Sequence, residues 1–261
     1  MKKKELEHYA SSINKMADAS GEVIRTRRLN SFETEIKGDG SPVTSVDQAA
    51  ERKIREIISD LHPEHGITGE EYDDKDADNE LVWVIDPIDG TLPFLAGIPV
   101  FGTLIALMQN GKPVLGAIDM PMTHERWIGG GADLPTTHNG KLVRTRDCED
   151  LSHALMSTSN PDYYDEETKP ALHRMRNSTR LNVYGGSCMA YAQIASGRID
   201  VGIDVLFDIY DFLALVPVIK GAGGTITDWN GDELNQSSGD KFVASGDART
   251  HEQALKVINN K

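Results

Sequence analysis

Leu6, Tyr9, Ala10, Ile13, Met16 and Ala17 recur at three- and four-residue steps, which predicts an amphipathic helix with one stripe turned to a core. Phe32, Thr34 and Ile36 then alternate with Glu33, Glu35 and Lys37, the period-two pattern of a half-buried strand, before a glycine- and proline-marked loop at 38–42. A second helix is expected from about Ser45. Ser45 and Gln48 would form its capping box, Val46, Ala49, Ala50, Ile54, Ile57, Ile58 and Leu61 its apolar face, and Pro63 its stop. Beyond the acidic stretch 69–80, the β-branched apolar run 81–86 reads as a buried strand that ends at Pro87. Further strands are expected at 101–108, 113–119, 154–158, 180–184 and 199–205, with a helix at 187–196 closed by Gly197. From Asp211, Phe212, Leu215, Val216 and Ile219 share a helical face, with Pro217 bending the helix and GAGG at 221–224 ending it.

These elements fit one core. At 261 residues the chain predicts a single large domain, arranged as two packed subdomains over about 1–150 and 151–261. Charge narrows the partners: 41 acidic against 27 basic residues, a formal net charge of −14, argue against a nucleic-acid surface and for cations. Only Cys148 and Cys188 are present, and the polar start carries no apolar signal core, so a reducing cytoplasm is expected. No run of about 18 to 20 apolar residues predicts a membrane span.

The chemistry concentrates in IDPIDGT at 85–91. Pro87 fixes the backbone so that Asp86 and Asp89 can converge on one point, with the Ile88 carbonyl as a further hard oxygen ligand. Asp89 could also cap the following turn and leave the Gly90 and Thr91 amides facing an anion. Alone, such a pair reads more readily as a turn and a cap. Two more acidic corners, Glu70 and Glu71 within 69–71 and Asp211 at the start of a helix, turn the reading toward a metal centre, although Asp211 can also be a plain cap. Asp74, Asp76 and Asp78 copy the start of an EF-hand loop, but Asn79 stands at the glycine position and Ile85 at the closing glutamate, so that run is read as solvated surface.

Together GEE at 69–71, WVIDPIDGT at 83–91, DFLALVPVIKGAGG at 211–224 and KGDGSPVTSVD at 37–47 resemble the signature segments of the inositol monophosphatase superfamily. The resemblance spans most of the chain. It implies an α/β fold, a layered αβαβα sandwich of the inositol monophosphatase and fructose-1,6-bisphosphatase type, and a homodimer hydrolysing a small phosphate monoester with Mg²⁺. On this sequence it gives Glu70, Asp86, the Ile88 carbonyl, Asp89 and Asp211 as ligands of two or three Mg²⁺ ions. Glu71 and Thr91 would orient the attacking water, with Asp89 counted among the catalytic residues, and Lys37, Asp39 and Asp47 would complete the site from a mobile loop. Gly90, Thr91, Gly185, Gly186, Ser187, Asp204 and Asp211 would face the substrate, with a tight turn before a helix as the bland reading of 185–187. Cys188 is read as a packing residue.

Within the superfamily, FGTLIAL at 101–107, IDMP with ERW across 118–127, DFLALVP at 211–217 and Tyr210 before Asp211 look most like the histidinol-phosphate phosphatases. Two segments depart from that branch: Leu92 and Pro93 follow DGT in place of a basic residue and a serine, and Ser187 replaces an aspartate in GGSC at 185–188. Histidinol phosphate carries an ammonium and an imidazole that acids can pair with. The alternatives are an inositol-1-phosphate, sugar-phosphate or nucleotide phosphatase of the same class, and a non-catalytic metal-binding regulator on the same fold.

Overall fold

The computed structural model describes residues 1–28, 33–36, 38 and 42–260. In chain order its helices are α1 (Lys3–Arg27), α2 (Ser45–Leu61), α3 (Thr91–Ala96), α4 (Lys169–Ser178), α5 (Ser187–Ala195), α6 (Ile209–Phe212), α7 (Leu215–Gly221) and α8 (Ala248–Ile258). A pair of short strands, β1 (Thr34–Ile36) and β2 (Pro42–Thr44), stands outside the two main sheets. The large sheet runs in sequence order through β3 (Gly66–Gly69), β4 (Leu81–Asp89), β5 (Gly102–Gln109), β6 (Lys112–Met120), β7 (Glu125–Gly130), β8 (Leu134–His138) and β9 (Lys141–Leu142). It is antiparallel except for the β3–β4 pair. The second sheet comprises β10 (Leu155–Thr158), β11 (Leu181–Tyr184), β12 (Val201–Asp204), β13 (Thr225–Asp228) and β14 (Phe242–Ser245), in the spatial order β11-β10-β12-β14-β13.

Alternation along the strands builds the layers. On β4, Trp83 and Ile85 join the core beneath α1 and α2, whereas Val82 and Val84 face the core shared with α5 and α7. Ile105 and Leu107 divide from Leu104, Ala106 and Met108 on β5 in the same way. A third core packs α4 and α8 on the outer face of the second sheet through Leu172, Met175, Val201, Val243, Ala254 and Ile258. The result is the helix–sheet–helix–sheet–helix sandwich that the resemblance implied. No helix of the described residues is long and apolar enough to cross a membrane.

Four local expectations need correction. β1 is exposed on every residue, with Ile36 at 69%, because it pairs only with β2 and lies outside the main sheets; Phe32 and Lys37 fall outside the described residues. The α2 cap is Thr44 with Asp47, not Ser45 with Gln48. β4 does not stop at Pro87: its pairing with β5 jumps from Asp86–Leu104 to Asp89–Gly102, and this irregularity accommodates a residue with no N–H to give. Pro217 interrupts the ladder of the expected helix, dividing it into α6 and α7 across Leu213 and Ala214, which stay in the right-handed helical region, since proline cannot donate back to the preceding turn.

Candidate metal centre

The side chain of Asp86 continues the Val82–Val84 face of β4, and the backbone irregularity after it brings Asp89 back toward the same point. From the facing layer comes α6. Its N-cap is Asp208 rather than Asp211; Asp211 is the third helical residue and accepts the Asp208 N–H at 2.7 Å in a capping box. One carboxylate oxygen from each of Asp86, Asp89 and Asp211 lies within 4.8 Å of the other two. Glu70 approaches from the end of β3, its N–H donating to the Ile85 carbonyl at 3.2 Å.

Such an arrangement opposes itself. Burial pushes the Asp86 carboxyl well above the usual range, and the charges of Glu70, Asp89 and Asp211 push it further. Asp211 is raised well above its usual range by burial, then by Asp89 and Glu70. Asp89 is raised to about 6 by burial, against hydrogen bonding from Cys188 and with the push of Glu70. Asp86 Oδ1 is buried without a hydrogen-bond partner, which is costly in a protein interior. Converging hard oxygens, an orphaned acceptor and mutual repulsion fit the residues to a divalent cation such as Mg²⁺.

Two helix starts meet at these acids. Gly90, at φ +88°, turns β4 into α3, and a Cβ there would sit 2.6 Å from Ser187 Oγ, so glycine is required both for the backbone and for the contact. Ser187 opens α5 at φ +45° after Gly185 at +78° and Gly186, a left-handed path unusual for serine. The next amide, Cys188 N–H, donates to Asp89 Oδ2 at 2.6 Å and ties α5 to the cluster. The Cys188 thiol is 2% exposed and held well above the usual range, by burial first and then by Asp89; it packs against Met120. Thr91 Oγ1 donates to the Ile88 carbonyl at 3.3 Å.

The remaining expected site residues are placed unequally. Asp47 is buried on α2, accepts from Thr44, and is raised to about 6 by burial, with Glu70 adding to the shift. Lys37 and Asp39 lie outside the described residues. Asp204 is 1% exposed and accepts from Thr158 Oγ1 (2.9 Å), Ser159 N (2.8 Å), Ser159 Oγ (2.8 Å) and Tyr191 OH (2.5 Å), so its carboxylate is engaged by protein groups rather than open to solvent. Asp74, Asp76 and Asp78 are exposed, as a solvated run should be. Sequence reasoning did not single out Thr103, whose hydroxyl holds the Pro87 carbonyl at 2.8 Å, or Glu51, which accepts the Glu71 N–H at 2.9 Å. Glu51 left one signal: it follows Asp47 by four residues and so shares its helix face.

The sequence model of the inositol monophosphatase family matches residues 5–261. This chain belongs to the inositol monophosphatase family. It is similar to the bifunctional phosphatase IMPL2, chloroplastic, of Arabidopsis thaliana, at 46% identity over 263 residues, covering 97% of this chain and 76% of that protein. A histidinol-phosphatase of Chlorobaculum parvum is 32% identical over 195 residues, 75% of each chain. Among solved structures, an inositol monophosphatase from Zymomonas mobilis superposes with a TM-score of 0.89 at 38% identity, covering 97% of this chain and 98% of that one. As a member of the inositol monophosphatase family, the protein is a phosphoric monoester hydrolase.

Proposed function

We propose that the enzyme hydrolyses L-histidinol phosphate to L-histidinol and phosphate, using Mg²⁺ held by Glu70, Asp86, the Ile88 carbonyl, Asp89 and Asp211. The observation that carries the metal reading is the convergence of one oxygen each from Asp86, Asp89 and Asp211 within 4.8 Å, with Asp86 Oδ1 buried and unpartnered. Two or three Mg²⁺ ions bound there would lower the pKa of water, neutralise phosphoryl oxygens and stabilise the leaving alkoxide. Glu71 and Thr91 orient the attacking water, each from a held position: the Glu71 N–H on Glu51, the Thr91 hydroxyl on the Ile88 carbonyl. Gly90, Gly185, Gly186 and Ser187 receive the ester at the two helix starts.

The choice of ester rests on the branch-like segments and on the relatives named for that activity, supported by one side chain that feels the charge of the acids. Tyr163 is 38% exposed; its phenol is raised by burial and, against hydrogen bonding from Asn160, by the charges of Asp89, Asp204 and Asp211. An aromatic ring on the cluster's side suits an imidazole-bearing leaving group. A homodimer in the cytoplasm completes the proposal; the exposed apolar pair Leu181 and Val183, on one face of edge strand β11, is a surface a second copy would cover, and a monomer mass in solution would overturn it.

Phosphate release from histidinol phosphate, inositol 1-phosphate, fructose 1,6-bisphosphate and 3′-phosphoadenosine 5′-phosphate, each with Mg²⁺ and with chelator, tests the reading. Mg²⁺-dependent preference for histidinol phosphate is expected. Preference for fructose 1,6-bisphosphate or inositol 1-phosphate would move the substrate toward a Thermotoga maritima relative named for both activities and 31% identical to this chain. Turnover of none of them would leave a narrower phosphate ester as the substrate, or the non-catalytic regulator.

A further inference from the structure

Glu51 lies on α2, one helical turn beyond Asp47, and is fully buried. Both of its oxygens are committed: Oε1 accepts from Arg55 Nε at 2.7 Å and Oε2 from the Glu71 backbone N–H at 2.9 Å. Arg55 reaches the far side of the same turn, donating to the Tyr72 carbonyl at 2.9 Å and the Asp73 carbonyl at 3.0 Å. Before the turn, Gly69 gives the carboxylate its space, since a Cβ there would lie 2.1 Å from Glu51 Oε1. One buried ion pair therefore grips the backbone from Gly69 to Asp73, the stretch that presents Glu70 and Glu71.

Burial raises the Glu51 carboxyl against the pull of the Glu71 N–H and Arg55, and Glu70 repels it. A buried ion pair of this kind adds little net stability compared with apolar packing. What it supplies is direction: the Glu71 N–H and the carbonyls of Tyr72 and Asp73 are fixed to one rigid helix.

We infer that Glu51 is a positioning residue of the metal centre, setting through the Glu71 N–H and Arg55 the direction in which Glu70 and Glu71 present their carboxylates. The inference rests on the metal reading of the site. Groups that orient ligands from behind typically change metal affinity about 10- to 100-fold when removed.

The test compares wild type with Glu51→Gln in three measurements: hydrogen exchange of the Glu71 amide in chelator, Mg²⁺ affinity by calorimetry without substrate, and kcat and KM on 4-nitrophenyl phosphate. Expected are faster exchange at Glu71, Mg²⁺ Kd weakened about tenfold or more, and lower kcat with KM little changed. A folded variant with wild-type exchange, Kd and kcat would overturn the inference. Should Glu51→Gln fail to fold, Arg55→Lys removes the fork while leaving Glu51, and unchanged Kd and kcat there would count against it equally. If the wild type binds no Mg²⁺, it is the metal reading that fails, and the inference with it.

Discussion

Asp204 does its work from inside the protein. Its four acceptor contacts join the end of β10 to α5, so Asp204→Ala would strand the buried Tyr191 hydroxyl and take the acceptor from the Ser159 N–H. The expected cost is about 2–4 kcal/mol, measured by urea denaturation. His251 gives a pH dependence of definite sign. Burial lowers its pKa from 6.5 to about 4, and Nε2 pairs with Thr227 Oγ1 at 2.9 Å. A depressed histidine contributes stability that is complete above about 6.5 and is lost as pH falls toward 4. The stability advantage of wild type over His251→Gln should therefore shrink by about 3 kcal/mol between pH 7 and pH 4; an advantage constant across that window would contradict it. The acids of the candidate metal centre were legible because three separate corners carried them, each with its own turn or helix start. Glu51 was less so, since a single glutamate between Ala50 and Arg52 on an amphipathic helix reads as its solvent face.

Among the elements, the junction of β4, α3 and α5 is the most constrained. Gly90→Ala places a methyl against Ser187 Oγ and forces a left-handed alanine, a strain of roughly 1–2 kcal/mol. Because Cys188 N–H holds Asp89 from the same α5 start, the substitution should cut phosphate release far more than it lowers the melting temperature. Equal activity with an unchanged melt would show that the junction has slack. Long apolar runs announced β4, β5 and β6, since strands covered on both faces need hydrophobic residues at every position. Elements whose burial relies on other residue types gave no such pattern. α8 turns Thr250, His251, Ala254 and Ile258 inward, so polar residues occupy half its stripe, and β3 is a four-residue GITG segment with glycine at both ends. The Pro87 boundary was misjudged because a proline that ends an ordinary strand can ride in one whose partner skips register.

At the scale of the whole molecule, the layers converge on their least stable feature. β4 from the large sheet, α5 and α6 from the middle layer, and the turn after β3 all deliver carboxylates or their supports to one buried volume, and the alternating faces of β4 and β5 made that layering readable in outline. Bringing these acids together costs folding energy that a bound cation would offset. Mg²⁺ at a hundredfold above its Kd should raise the melting temperature by roughly 5 to 10 °C over the chelated protein, whereas the same ionic strength of NaCl should not. The most direct test is the Asp89→Asn variant, compared with wild type by calorimetric Mg²⁺ titration and by phosphate release in the same buffer. A variant that melts like the chelated wild type, binds Mg²⁺ far more weakly and releases no phosphate is the predicted result. A folded Asp89→Asn enzyme that retains Mg²⁺-dependent turnover would contradict the assignment of the metal centre.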